Sequence, residues 1–265
     1  MSRHWRFGDL EFTVLWEMIT GEDLPAPLIF TSRTPLRDDY FREKREMAER
    51  LRSRWDYSVD ALADVIKQPD LRMIVTGVDG RDEWRADGRI RMIALRRGDR
   101  GLLIEQLPGE TYSHSAGFTV RECDPVRLAD EVTAALPQVE AGRQGNTPLT
   151  DPRETTTVEP QFDRLIIDDI FADSTSVRSK RFLAITPMCL GTIEVRQGHS
   201  KFGPKGMVSH SLQWRDLEDD GRYVIRREPP YMAVPADSKQ LITTINVCVA
   251  AVIRAIKDER GTLQP

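Results

Sequence analysis

Two stretches of this chain carry the same succession of strand, helix cap and amphipathic helix. Asp124 and Asp237 are both placed to cap a helix, 113 residues apart (237 − 124), and Leu128 and Leu241 follow at the same offset. Phe118 with Tyr231, and Val132 with Ile245, share that spacing. Upstream the offset drifts, but the order persists. Gly101–Ile104 matches Gly221–Ile225 as the strand after a glycine turn, and Gly88–Arg97 matches Gly206–Arg215. Earlier still, a Pro69 stop followed by a strand has its counterpart at Pro187 and the strand after it. A unit of one helix, several antiparallel strands and a second helix leaves a sheet edge and a sheet face uncovered. Two copies must therefore join. The pattern predicts an α+β protein with one central, mostly antiparallel sheet, helices grouped at each end, and two similar halves related by a pseudo-two-fold.

The elements follow from periodicity and punctuation. Leu10–Leu15 reads as a first strand with Phe12 and Val14 on one face. Leu24-Pro25-Ala26-Pro27 is a breaker before a short strand or turn at Leu28–Phe30. Tyr40, Phe41, Met47 and Leu51 recur at near-helical spacing within the charged run from Pro35 to Arg54, which predicts an exposed amphipathic helix. A second helix, capped by Ser58 and stopped by Pro69, carries Val59, Leu62, Ala63 and Ile66. Strands follow at Leu71–Gly77, Gly88–Arg97, Gly101–Leu107 and Phe118–Arg121. Asp124-Pro125 then opens a helix that ends at Pro137.

Residues 138–157 mix Gly, Pro, Asn and Thr with few large apolar side chains and read as a linker. They separate an N-terminal part, 1–137, from a C-terminal part, 158–265, within one compact unit. Beyond them Phe162, Leu165, Ile166, Ile170 and Phe171 form a helical stripe, and the repeat makes Arg181–Thr186 helical as well. Thr192–Gln197, Gly206–Arg215, Arg222–Arg227 and Tyr231–Val234 are strands, the middle two turning at Asp219-Asp220-Gly221. Gly198–Gly206 reads as a mobile hairpin loop. Asp237 with Gln240 forms a capping box for a last helix lined by Leu241, Ile245, Val249, Val252 and Ile256.

Charge and composition exclude several classes of partner. The chain of 265 residues has a net charge of −4, which argues against a nucleic-acid partner. Its one arginine-rich run, Arg89–Arg100, alternates with apolar residues and reads as a solvated strand face. No stretch approaches ~20 apolar residues, the length of a membrane span, and no apolar segment follows Met1–Arg6. Three widely spaced cysteines, Cys123, Cys189 and Cys248, suit a reducing compartment and a cytoplasmic protein.

Local chemical signatures are missing. There is no phosphate-cradling glycine loop, and the four histidines, His4, His114, His199 and His210, have no metal-ligand spacing. Asp79, Asp82, Glu83 and Asp87 fail as a calcium loop, because Trp84 occupies the place that needs glycine. Neither Ser113-His114-Ser115 nor Ser209-His210-Ser211 can pass a proton, since adjacent strand residues face opposite ways. No cofactor, metal or catalytic residue is assigned, and the reading is a binding protein. Two alternatives stay open on the residues alone: an enzyme with a dispersed site, for example a hydrolase using His210 and Asp216, and a self-associating structural module.

The C-terminal half carries a resemblance. Pro187-x-x-x-Gly191-Thr192-Ile193-Glu194-Val195, Leu212-x-Trp214-x-Asp216, Asp220-Gly221-Arg222-Tyr223 and Ala233-Val234-Pro235-Ala236-Asp237 resemble the EspG family. Leu10-x-Phe12-Thr13-Val14 and Pro25-x-Pro27-Leu28 agree more loosely, so the likeness covers nearly the whole chain. Arg215 stands where a small residue is more familiar in that family.

The resemblance implies a central antiparallel sheet flanked by two helical bundles. It also implies a cytosolic, ATP-independent chaperone for type VII (ESX) secretion, which grips the apolar tip of a PE–PPE-type helical heterodimer. Unliganded, such a protein is expected as a monomer or weak homodimer. Within that picture, polar selectivity is expected from Asp79, Arg81, Asp82, Trp84 and Arg85 in the loop before Gly88. Apolar anchors are expected among Val208, Leu212, Trp214, Ile225 and Val249.

Overall fold

The computed structural model describes residues 3–151 and 166–261. In chain order they form β1 (His4–Phe7), α1 (Asp9–Thr20), α2 (Arg37–Ser53), α3 (Tyr57–Lys67), β2 (Leu71–Asp79), β3 (Ile90–Arg97), β4 (Arg100–Pro108) and β5 (Ser115–Cys123). Then come a 3-10 turn (Pro125–Arg127), α4 (Leu128–Ala135), β6 (Thr147–Pro148), α5 (Ile166–Ala184), β7 (Cys189–Gln197), β8 (Ser209–Leu217), β9 (Gly221–Arg226), β10 (Met232–Pro235) and α6 (Ser238–Gly261).

Among these residues all ten strands lie in one sheet, in the order β1-β5-β4-β3-β2-β7-β8-β9-β10-β6. The named strand pairings are antiparallel, and the order reads the same from either edge inward. The seam between the halves is β2 against β7. Each is nine residues long, and they pair along their full length from Leu71↔Gln197 to Asp79↔Cys189. Their offset, 118 residues (189 − 71), is also that between Pro69 and Pro187.

The predicted caps are in place. Asp124 Oδ1 accepts the Val126 amide at 2.9 Å, and Asp237 Oδ1 accepts that of Gln240 at 2.8 Å. The Gln240 side chain returns a bond from the Asp237 amide at 2.7 Å, closing the capping box. Leu128 and Leu241 are both buried, as are Val132 and Ile245.

Strand alternation divides the core by face. On one face Met73, Val75, Ile193, Val195, Leu212 and Trp214 pack under α4 and α6. On the other, Ile93, Leu95, Leu102, Ile104, Phe118 and Val120 pack under α1, α2 and α3, while Tyr223, Ile225 and Ala233 meet Phe182 of α5. By length and composition α6 could cross a membrane, but its Leu241, Ile245, Cys248 and Val252 are buried against the sheet.

Three expectations are corrected. Leu10–Leu15 is helix, not strand. Glu11 accepts the Gly8 amide at 3.0 Å, and Phe12, Thr13, Val14, Leu15 and Trp16 are all buried, which a half-exposed strand could not achieve. The strand precedes it as β1 on the β5 edge. The cap of α3 is Asp56, whose Oδ1 accepts the Val59 amide at 3.2 Å, so Ser58 lies inside the helix. The β7–β8 loop is pinned: Glu259 accepts from Gln197 Nε2, Ser200 Oγ and the Lys201 amide at 3.0, 2.8 and 3.2 Å.

Of the stripe expected at Phe162, Leu165, Ile166, Ile170 and Phe171, the first two lie outside the described residues, and α5 runs through the other three. The linker-like residues 138–151 lie along the second half of the sheet, with Gly142 bonded to the Arg222 carbonyl at 3.0 Å and β6 paired to β10. The arginines of β3 and β4 are engaged: Arg91 donates to the Tyr112 carbonyl at 2.8 Å, Arg97 pairs with Asp64 at 2.9 Å and Arg100 with Glu122 at 3.2 Å.

Candidate functional site

Among the described residues, one strip of the sheet has no helix over it. The α1–α3 layer covers β3, β4 and β5, and α5 covers β9 and β10 on the same face. Between them β2, β7 and β8 show their alternate residues half-exposed. By register these form cross-strand rows: Ile74, Glu194 and Ser211; Thr76, Thr192 and Gln213; Val78, Leu190 and Arg215. The Thr76 and Thr192 hydroxyls meet at 2.8 Å in the middle of the seam. The result is a groove with a floor of small polar and aliphatic groups and a helical wall on each side.

The α5 wall is apolar and accessible. Val177, Leu183, Ile185 and Met188 are exposed along α5 and the turn after it. Below Leu183 a cavity of about 740 Å³ opens between Leu149, Gln213, Ile225, Pro229 and Tyr231. Arg215 holds this wall to the floor. Its Nη2 donates to the Leu183 and Ile185 carbonyls at 3.2 and 2.6 Å, and its guanidinium lies 5.7 Å from the Phe182 ring centre. Burial pushes that guanidinium below its ordinary pKa. The unexpected arginine is thus the C-terminal cap of α5. Arg215→Ala removes both bonds and is expected to cost about 1–2 kcal/mol locally. Faster amide exchange confined to residues 175–185 checks this; unchanged exchange there would contradict it.

At one end of the groove stands the β2–β3 loop, residues 80–89. It is a braced turn. Asp79 Oδ1 accepts the Arg81 and Asp82 amides at 2.8 and 3.4 Å, and these backbone bonds, the Arg81 one foremost, hold the carboxyl below the usual range. Arg85 grips Asp87 with Nε and Nη2 at 2.6 and 2.9 Å and reaches Asp79 at 3.2 Å. Arg81 crosses to the second half and pairs with Glu218. Trp84 is 59% exposed, its ring set edge-on against Tyr112 at 4.7 Å, and Arg89 lies 5.8 Å from the Tyr112 ring centre. Asp79, the last residue of β2, and the exposed loop residues Arg81, Asp82, Trp84 and Arg85 therefore share one small, preorganised knob.

The five expected anchors do not share a surface. Leu212 and Trp214 are buried under α4 and α6, Ile225 is buried beneath α5, and Val208 and Val249 are half-buried on the α6 side. The reason is parity. The even residues of β8 point to α4 and α6, so the groove receives its odd ones: Ser211, Gln213 and Arg215. Polar residues at alternate positions of β7 and β8 were the signal for this floor.

Among the described residues, the two groups weighed for proton transfer are otherwise engaged. Asp216 is sealed in an ion pair with Arg222, and His210 bonds Glu228 at 2.9 Å. Burial pushes the Cys123 and Cys189 thiols up to about 12 and about 11, so both are protonated, unreactive side chains at neutral pH.

A sequence model of the EspG family matches residues 9–246. No curated protein matches the chain. Among solved structures, the Mycobacterium tuberculosis type VII secretion system chaperone EspG5, in complex with a PE25-PPE41 dimer, is similar with a TM-score of 0.56. The alignment covers 96% of each chain at 14% identity, a likeness that concerns the fold.

Proposed function

The chain belongs to the EspG family, and from that premise we propose that it is a cytosolic chaperone of type VII secretion whose groove holds the tip of a PE–PPE-type helical heterodimer. The observation that carries this reading is the strip of sheet left uncovered by the described residues between two helical walls, with exposed apolar side chains on one wall and a braced, tryptophan-bearing loop at its end. An apolar helix–hairpin tip left in water is prone to self-association, and a complementary groove removes that hazard without any reaction.

The roles divide by chemistry. Leu183, Ile185 and Met188 supply the apolar contact, while Thr76, Thr192 and Gln213 offer hydrogen bonds to a helix end. Asp79, Arg81, Asp82, Trp84 and Arg85 select among partners. Trp84 is the anchor of that loop, because Tyr112 holds its ring in place before binding and little freedom is lost. The unliganded chain is a monomer or weak homodimer with the groove open.

Co-expression with PE–PPE pairs from the same genome should yield a complex that co-purifies through size exclusion. Trp84→Ala is expected to weaken it by about 1–2 kcal/mol, or roughly tenfold, without changing the thermal midpoint of the free chain. Capture of no pair, together with a homodimer that hides the groove, would overturn the proposal.

A further inference from the structure

The opposite end of the sheet holds a cleft unconnected with the loop at Trp84. It has a volume of about 890 Å³ and is lined by the end of α3, the start of β2, the β3–β4 turn, the β7–β8 loop and the last turn of α6. Its charged lining is Lys67, Arg72, Arg97, Lys201 and Arg260 against Asp70 and Glu259, an excess of cations in a chain of net charge −4.

The carboxylates are tied to other groups. Asp70 Oδ2 accepts the Gly98 amide at 3.1 Å and its Oδ1, buried without a hydrogen-bond donor, lies 3.6 Å from Arg96, while Glu259 is taken up by Gln197, Ser200 and the Lys201 amide. Arg97 belongs to Asp64, and Lys201 donates to the Glu259 carbonyl at 3.0 Å. Lys67, Arg72 and Arg260 remain; none of them forms an ion pair within 4 Å among the described residues, although the Glu22 carboxylate acts on Arg72 from farther off.

Two of these three have a local reason to be where they are, since a cation in the last turn of a helix complements its carbonyls. Arg72 has none. It is half-buried, its Nε is shut away from water without an acceptor, and it stands directly across the seam from Arg196. Burial first, and the Arg196 charge second, push its guanidinium below the ordinary value, outweighing the opposite pull of the Glu22 carboxylate. Like charges opposite one another on a sheet are destabilising, and an orphaned buried donor adds to that. A fold that tolerates such an arrangement beside a cleft is organised for an anion arriving from outside.

We propose that this cleft binds a compact polyvalent anion, one bearing two or more phosphate or carboxylate groups, through Arg72, Lys67 and Arg260. A small molecule fits better than an acidic polypeptide. The three cations come from separate elements and converge on one cavity of small-ligand size instead of following a track. The site is independent of the chaperone reading.

The test uses the purified full chain with inorganic pyrophosphate and with citrate, at fixed ionic strength. Calorimetry should show saturable one-site binding, and the thermal midpoint should rise with either anion. Arg72→Met should weaken binding by roughly tenfold or more, the loss of one charge-assisted contact. In the absence of anion the same variant should melt higher than the parent, because the unpaired guanidinium is gone. Lys67→Ser with Arg260→Ser, both exposed and at helix ends, should weaken binding while lowering the melt of the free chain only slightly, by the loss of two helix-end charges. A response that survives in Arg72→Met, or no response to either anion, overturns the proposal. Tighter binding of hexaglutamate than of pyrophosphate overturns it too, and would assign the cleft to a polypeptide.

Discussion

Asp216→Ala is expected to destabilise the fold by about 3–5 kcal/mol, lowering the thermal midpoint by roughly 10 °C. Asp216 and Arg222 face each other across β8 and β9, essentially without solvent exposure. Arg222 Nε and Nη2 reach the two carboxylate oxygens at 2.6 and 2.8 Å, and Nη2 also donates to the Pro137 carbonyl at 2.8 Å. The alanine variant leaves that guanidinium buried with no counter-charge, a far larger penalty than losing a surface pair. It also frees the segment after α4, since the Arg222 backbone bonds Glu140 at 2.8 Å and Gly142 at 3.0 Å. The informative comparison is Asp216→Leu with Arg222→Met. Removing both charges should recover much of the loss, so a double variant as unstable as the single one would refute the burial argument.

Gly191→Ala should be the next most damaging change, at about 3 kcal/mol, the upper range for overpacking a tight core. Gly191 and Gly77 are paired across the seam, and the Trp214 indole lies over both. A Cβ on Gly191 would fall 2.2 Å from the Thr76 carbonyl oxygen and 2.2 Å from Trp214 Cη2. Neither can retreat: one is ladder backbone, and the other is a wholly buried ring. Thermal unfolding and the near-ultraviolet tryptophan signal report the effect. Gly145→Ala, where an added Cβ meets nothing within 4 Å, is the matched control and should stay within about 0.5 kcal/mol. Partial recovery on adding Trp214→Leu would place the strain at the indole; no recovery would locate it in the backbone.

These positions show what a sequence can and cannot disclose. Caps are short-range, so Asp124 and the Asp237–Gln240 box were readable from spacing, and with them the doubled architecture. Leu10–Leu15 was misread because a short apolar run has no period to separate a buried helix from a strand. The deciding residues are Gly8, just outside the apolar window, and Glu11 within it. For the groove, the loop at Trp84 was legible, since an aromatic among charges between two strands is conspicuous. The floor was not. Leu212, Trp214 and Ile225 are apolar because they are core, whereas the accessible face belongs to the plainer residues between them. Which parity faces a helix and which faces open space depends on distant elements. Arg215 is the sharpest case, because its role lies in carbonyls about 30 residues away that no local pattern connects to it.

The full-length seam of β2 with β7 has a further consequence during synthesis. After residue 79 leaves the ribosome, more than a hundred further residues must emerge before the segment that will hydrogen-bond this strand's outer edge follows (189 − 79 = 110). At ~5–20 residues per second, that edge stands bare for several seconds or longer. A nascent first half is therefore an adhesive ribbon, open to strand-to-strand capture by its neighbours on a polysome, and slowing translation between the halves would lower soluble yield without altering one residue of the product.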